Sequence, residues 1–127
     1  MTNIMWQQTI RSAPHTKKNS QVIAKHNGRT FVVQNKLYKK YEKECLNVIV
    51  PPEKPIDEPI NLKCHFFMPT RRRVDLTNLL SAINDILVKA EVLEDDNSSI
   101  VYSMDGSRVF YDKDDPRTEI TITRAGM

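Results

Sequence analysis

Two periodicities meet between Ile60 and Ala90 and leave few folds open. Ile60, Leu62, Cys64 and Phe66 alternate with Asn61, Lys63, His65 and Phe67, the period of a strand with one buried face, and Pro69 stops the run. Leu76, Leu79, Leu80, Ile83, Ile86 and Leu87 then fall at helical spacing, which predicts a helix from about Asp75 to Ala90 with a wide apolar face. Such a helix needs a sheet or another helix to cover it.

The flanking segments supply both. Residues 4 to 11 read as a first strand anchored by Trp6, and Val22-Ile23-Ala24 and Thr30-Phe31-Val32-Val33 flank Asn27-Gly28, a hairpin signal. From Gln34 to Val50, the residues Leu37, Tyr38, Tyr41, Cys45, Val48 and Ile49 are spaced for one buried helical face. Prolines at 51, 52, 55 and 59 turn the next stretch into an extended connector. Ile100 to Tyr102 and Arg108 to Tyr111 bracket Asp105-Gly106 and predict a second hairpin, and Glu119 to Thr123 closes with an alternating strand. The expected fold is α+β: one domain over residues 1–127, with two main helices packed on a mostly antiparallel or mixed sheet.

A chain of 127 residues is long enough for one core. No apolar run approaches the roughly 20 residues needed to cross a bilayer, and the first residues lack the basic and apolar parts of a signal peptide, so a cytoplasmic protein is expected. Cys45 and Cys64 have no Cys or His at zinc spacing and read as reduced core residues. The three histidines, His15, His26 and His65, show no ligand spacing, and there is no phosphate loop or nucleophile elbow.

Charge is distributed unevenly. Residues 1 to 73 carry 14 Lys and Arg against 5 Asp and Glu, a balance of +9, whereas residues 74 to 127 carry 5 against 11, a balance of −6. A basic part beside an acidic part suits a protein that grips phosphates and also holds cations, and the alternative is self-association of the two surfaces.

The chemistry concentrates between Arg71 and Asp96. Adjacent guanidiniums at Arg71, Arg72 and Arg73 repel one another unless an anion compensates them, which favours a phosphate-binding run over a solvated loop. Along the second helix, Asp75, Asn78, Ala82, Asp85 and Lys89 are expected to form a stripe beside the apolar face. A rise of 1.5 Å per residue puts Asp75 and Asp85 roughly 15 Å apart, too far to share one metal ion. Asp95 and Asp96, just beyond the helix, are the natural further carboxylates. Asp75 followed by Asn78 also matches a helix N-cap, and Asp95-Asp96-Asn97-Ser98 also makes a good turn. Asp112-Lys113-Asp114-Asp115 lacks the glycine and distant glutamate of a calcium loop and reads as solvated.

Taken in order, these residues resemble the RusA-type Holliday junction resolvases, small dimeric endonucleases of bacteria and their prophages that act in DNA recombination and repair. The family pattern is a basic run, Asp-Leu-Asp-Asn-Leu opening a helix, a helical Asp-x-Leu, and Asp-Asp after a short turn. It is met by Arg71 to Leu79, by Asp85-Ile86-Leu87 and by Leu93 to Asp96, and Asn19, Gly28-Arg29 and the helix around Tyr38 and Tyr41 also fit. The resemblance implies a Mg²⁺-dependent homodimer cutting branched DNA, with no membrane and no small-molecule substrate. It makes Asp75 and Asp96 the metal ligands, with Asp95 and Asp85 as further acidic catalytic residues. DNA contacts are expected from Lys17, Lys18, Asn19, Arg29, Arg71, Arg72 and Arg73. Thr77 stands where the pattern has its second aspartate, and Ser81 where it has a lysine. A junction-binding protein that has lost cleavage is therefore the rival reading, and a small adaptor that dimerises by charge complementarity is a third.

Overall fold

The computed structural model describes residues 4–17, 21–26, 29–34 and 36–126, with 21–34 described as backbone alone. The elements run in the order β1 (Ile4–Ile10), β2 (Gln21–His26), β3 (Arg29–Gln34), α1 (Lys36–Val48), β4 (Ile60–Met68), α2 (Leu76–Lys89), β5 (Val101–Ser103), β6 (Arg108–Tyr111) and β7 (Arg117–Arg124). β2 and β3 pair antiparallel from Gln21 opposite Gln34 to His26 opposite Arg29, as the Asn27-Gly28 signal requires; the turn residues themselves lie outside the described residues.

The main sheet has five strands. β7 lies between β1 and β4, antiparallel to both, while β5 and β6 share the other side of β4. The expected hairpin around Asp105-Gly106 does not form: β5 and β6 each pair with β4, and both pairings are parallel. The turn itself is real, since Gly106 has φ +86. Its flanking strands lie one after the other along β4, β5 against Ile60 and Asn61 and β6 against residues 65–68. The physical cause is α2, a crossover that returns the chain to the start of β4, so that β5 and β6 run in the same direction as β4. In the gap between β5 and β6, the Ser107 hydroxyl accepts from the Cys64 amide and donates to the Leu62 carbonyl, so a side chain replaces the missing ladder.

The helices cover the face of β4 that carries Ile60, Leu62, Cys64 and Phe66, all at most 1% exposed, and the core continues through Ile120 and Ile122 of β7 and Ile83, Ile86 and Leu87 of α2. Within α1, Tyr38, Tyr41 and Cys45 are buried as their spacing predicts, but Leu37 and Val48 are about half exposed. Those two sit at the ends of the apolar arc, where the narrow contact of a 13-residue helix with the sheet does not reach. Both cysteines are free and buried. Among the described residues no helix is long and apolar enough to cross a membrane.

Candidate active site and nucleic-acid interface

α2 shows the solvent one narrow row. Leu79, Leu80, Ala82, Ile83, Asn84, Ile86 and Leu87 are buried; Thr77, Ser81, Asp85 and Lys89, four residues apart, form the outward line, flanked by the partly exposed Leu76, Asn78 and Val88. Ala82, expected on the polar stripe, is 3% exposed; a methyl side chain let the helix rotate that position into the core. The two residues that depart from the resolvase pattern, Thr77 and Ser81, thus stand on the exposed row with Asp85.

Asp75 occupies the N-cap position with extended backbone, φ −83 and ψ 122, and its carbonyl accepts from the Asn78 and Leu79 amides. Its carboxylate makes no capping bond; Oδ2 instead accepts from the Asn78 side-chain amide at 3.2 Å. The side chain is exposed, so a carboxylate not committed to the helix stands at its head.

At the other end the chain folds back after Ala90, with the Val92 and Leu93 amides both donating to the Leu87 carbonyl. The same return pairs Leu93 with Ile56 and brings Asp95 and Asp96 to the surface at the foot of α2. The turn is built by side chains: Asp95 Oδ1 accepts from the Asp96 amide at 2.7 Å, and Asn97 Oδ1 from the Ser99 amide at 2.9 Å. Partial desolvation, hydrogen bonding to Asp95 and the charge of Asp85 together raise the Asp96 carboxyl above its ordinary value. Asp95 and Asp85 therefore both act on Asp96. Among the described residues no set of three or more His, Cys, Asp or Glu converges closely enough to hold a metal ion by protein ligands alone. Crowded carboxylates on an open surface do fit an ion that takes one or two of them and completes its shell with water and substrate phosphate, the usual manner of Mg²⁺.

The basic residues divide. Lys17 Nζ lies 2.7 Å from Asp85 Oδ2 and 5.9 Å from the centre of the Tyr38 ring, tying the N-terminal loop to the outward row of α2. Arg71, Arg72 and Arg73 are exposed, and among the described residues none of them has a carboxylate partner. The Arg71 guanidinium lies over the Tyr111 ring at 4.1 Å, and Arg72 and Arg73 line a cleft of about 360 Å³ together with His15, Thr16 and Met68. Nothing in the sequence links Tyr111 to an arginine 40 positions earlier; only the pairing of Met68 with Tyr111 brings β6 beneath the run. Lys18 and Asn19 lie outside the described residues, and Arg29 opens β3, where only its backbone is described. The Asp112 to Asp115 loop is held from within: Asp112 Oδ1 accepts from the amides of Asp114 and Asp115, and Arg117 bonds Asp112, Asp115 and Glu119.

Uncompensated arginines and exposed carboxylates, on and around a helix laid across a mixed sheet, are groups suited to a phosphate backbone and a hard cation. Residues 12–123 match the family model described as endodeoxyribonuclease RusA, and the chain belongs to that family. No curated protein matches it.

Proposed function

We propose that this chain is a Mg²⁺-dependent, structure-selective endonuclease that resolves four-way DNA junctions in the cytoplasm, working as a homodimer that makes paired cuts. The family match carries the reading, and what supports it locally is the outward row of α2, with Asp75 at its head, Asp85, Asp95 and Asp96 at its foot, and the arginine run alongside. Asp75 and Asp96 are the proposed Mg²⁺ ligands; standing at opposite ends of α2, they would not share one ion within a single chain, so each would hold one with water and substrate phosphate completing its shell, and Asp85 and Asp95 add negative charge beside Asp96. Bound there, Mg²⁺ supplies a Lewis acid for a phosphate oxygen and lowers the pKa of an attacking water. Arg71, Arg72 and Arg73 hold the backbone on one side, and Lys17, Lys18, Asn19 and Arg29 are the proposed contacts on the other. Hydrolysis leaves a 5′-phosphate and a 3′-hydroxyl.

Lys17 is paired with Asp85 in the structure, so it reaches a phosphate only by exchanging one anion for another. A half-exposed ion pair contributes about 0–1 kcal/mol, so the exchange costs little. The rival reading, a junction-binding protein without cleavage, is favoured by Thr77 and Ser81, which put neutral hydroxyls on the row. Titrating Mg²⁺ against a labelled four-way junction separates the two: cleavage with symmetric nicks supports the enzyme, and a stable complex that is never cut supports the binder.

A further inference from the structure

β6 is an edge strand of four residues whose only protection as an edge is its brevity. Arg108, Val109, Phe110 and Tyr111 are all exposed, the last three at 37–39%, and β4 is the sole strand pairing with them among the described residues. Natural edges are blunted by bulges, proline, lysine or brevity. β1, at the opposite edge, has an irregular register between Ile4 and Trp6, and β5 is three residues long. β6 has no proline, lysine or irregularity.

The free side of β6 complements itself. The Asp112 amide donates to the Met68 carbonyl, so by the two-residue period the amides of 108 and 110 also point toward β4, while those of Val109 and Tyr111 point outward. Phe110 stacks on Phe67 with ring centres 4.9 Å apart and so stands on the sheet face away from the helices, as does Arg108. An antiparallel copy that keeps both the faces and the outward amides in phase, with Phe110 opposite Phe110, sets Val109 against Tyr111 and Arg108 against Asp112. The first is an apolar cross-strand pair and the second an ionic one. Arg108 has no carboxylate partner among the described residues, whereas Asp112, Asp115 and Glu119 share Arg117, with Arg11 also on Asp115, so the acidic exit of β6 has charge to share. Asp105, Asp112, Asp114 and Asp115 flanking the strand disfavour a polyanion there.

We infer that the free edge of β6 joins a second copy of this chain, antiparallel about a two-fold axis through Phe110, to make one continuous sheet. The inference rests on the proposed pairing of two copies and assigns it a surface, whereas its test reads mass and covalent capture, not cleavage. Because Arg71 lies on Tyr111, the joint brings the two arginine runs to either side of the axis.

The test is sedimentation equilibrium of the full chain from about 1 to 100 µM. Wild type is expected at twice the monomer mass, and Val109→Pro, which removes an outward amide that the fold does not use, at the monomer mass with an unchanged circular dichroism spectrum. Phe110→Cys gives an independent readout, since directly opposed residues of a non-hydrogen-bonded antiparallel pair have Cα atoms about 4.5 Å apart, within disulfide reach. It is expected to form a covalent dimer under mild oxidation while the buried Cys45 and Cys64 remain silent. A wild type that stays monomeric throughout the range overturns the inference, as does a dimer that persists in Val109→Pro while Phe110→Cys fails to crosslink. Monomeric wild type whose junction affinity falls with Val109→Pro reassigns the edge to DNA.

Discussion

Asp75 holds the capping position of α2 yet makes no capping bond, and this separates its structural role from its proposed chemical one. Replacing an N-cap that does bond costs about 0.5–2 kcal/mol. Asp75→Asn is therefore expected to leave the melting temperature unchanged while abolishing cleavage and keeping junction affinity within a few fold. Asp96→Asn is expected to do the same, and wild-type cutting by either variant removes that residue from the metal site. Thr77 is on the outward row, so Thr77→Asp adds a carboxylate to solvent without disturbing the core. It is expected to raise the single-turnover rate at limiting Mg²⁺; a neutral or slower variant assigns the missing oxygen to Asp85 or Asp95. His15 gives a pH dependence that owes nothing to catalysis. Burial holds its imidazole below the usual 6.5, with Glu44 opposing. The folded value is depressed, so the unfolded chain binds the proton more readily; this contribution to stability is full above about 6.5 and is lost as the pH falls toward the lowered folded value. Urea midpoints at pH 7 and 5.5 check it, with His15→Gln expected to remove part of the difference. At this scale the residue types were legible in the sequence but their facing was not: whether position 82 points inward depends on the volume of the side chain there and of its neighbours across the core.

Elements were legible wherever a period ran long. The alternation of β4 and the spacing of α2 located both to within a residue or two, because each buries a continuous face. β5 and β6 are three and four residues long, too short for a period to indicate a partner, and the turn glycine between them suits a hairpin and a two-part edge equally. What decides is the direction in which α2 delivers the chain, a tertiary fact. α2 is accordingly the element to weaken for stability: Ile83 is fully buried, and Ile83→Ala is expected to cost about 2–5 kcal/mol, read as a lower urea midpoint. The arginine run belongs to a loop, and its replacement by three alanines is expected to leave the fold intact. Junction binding weakens, and its log-log salt slope flattens by about 0.9 per lost duplex phosphate contact. An unchanged slope reassigns the run to a contact other than DNA.

Across the whole molecule, the segregation of charge legible in the sequence does not become two separate hemispheres. Lys17 meets Asp85 and Arg11 meets Asp115, joining the basic part to the acidic part, while Lys89 meets Glu42 and Arg124 meets Glu58 in the opposite sense, so the two parts interlock across the fold. The arginine run is left outside these pairs, and that local surplus is what the substrate would meet. The interior is closed to solvent: burial pushes the Cys45 thiol up to about 12 and raises the Cys64 thiol as well. Neither is expected to react with a thiol reagent at pH 8 until denaturant is added, when two equivalents should appear. β7 gives the sheet a consequence in time. It is the last strand, and among the described residues it is the one strand that pairs with β1. A ribosome adding roughly 5–20 residues per second needs on the order of 5–20 s to travel from β1 to β7. Throughout that interval the emerging N-terminal strand has no neighbour to zip against, while β4 and α2 are already available to collapse together. Translation speed over the second half of the message therefore bears on yield, and a nascent chain stalled before Arg117 presents β1 to chaperones rather than to its own sheet.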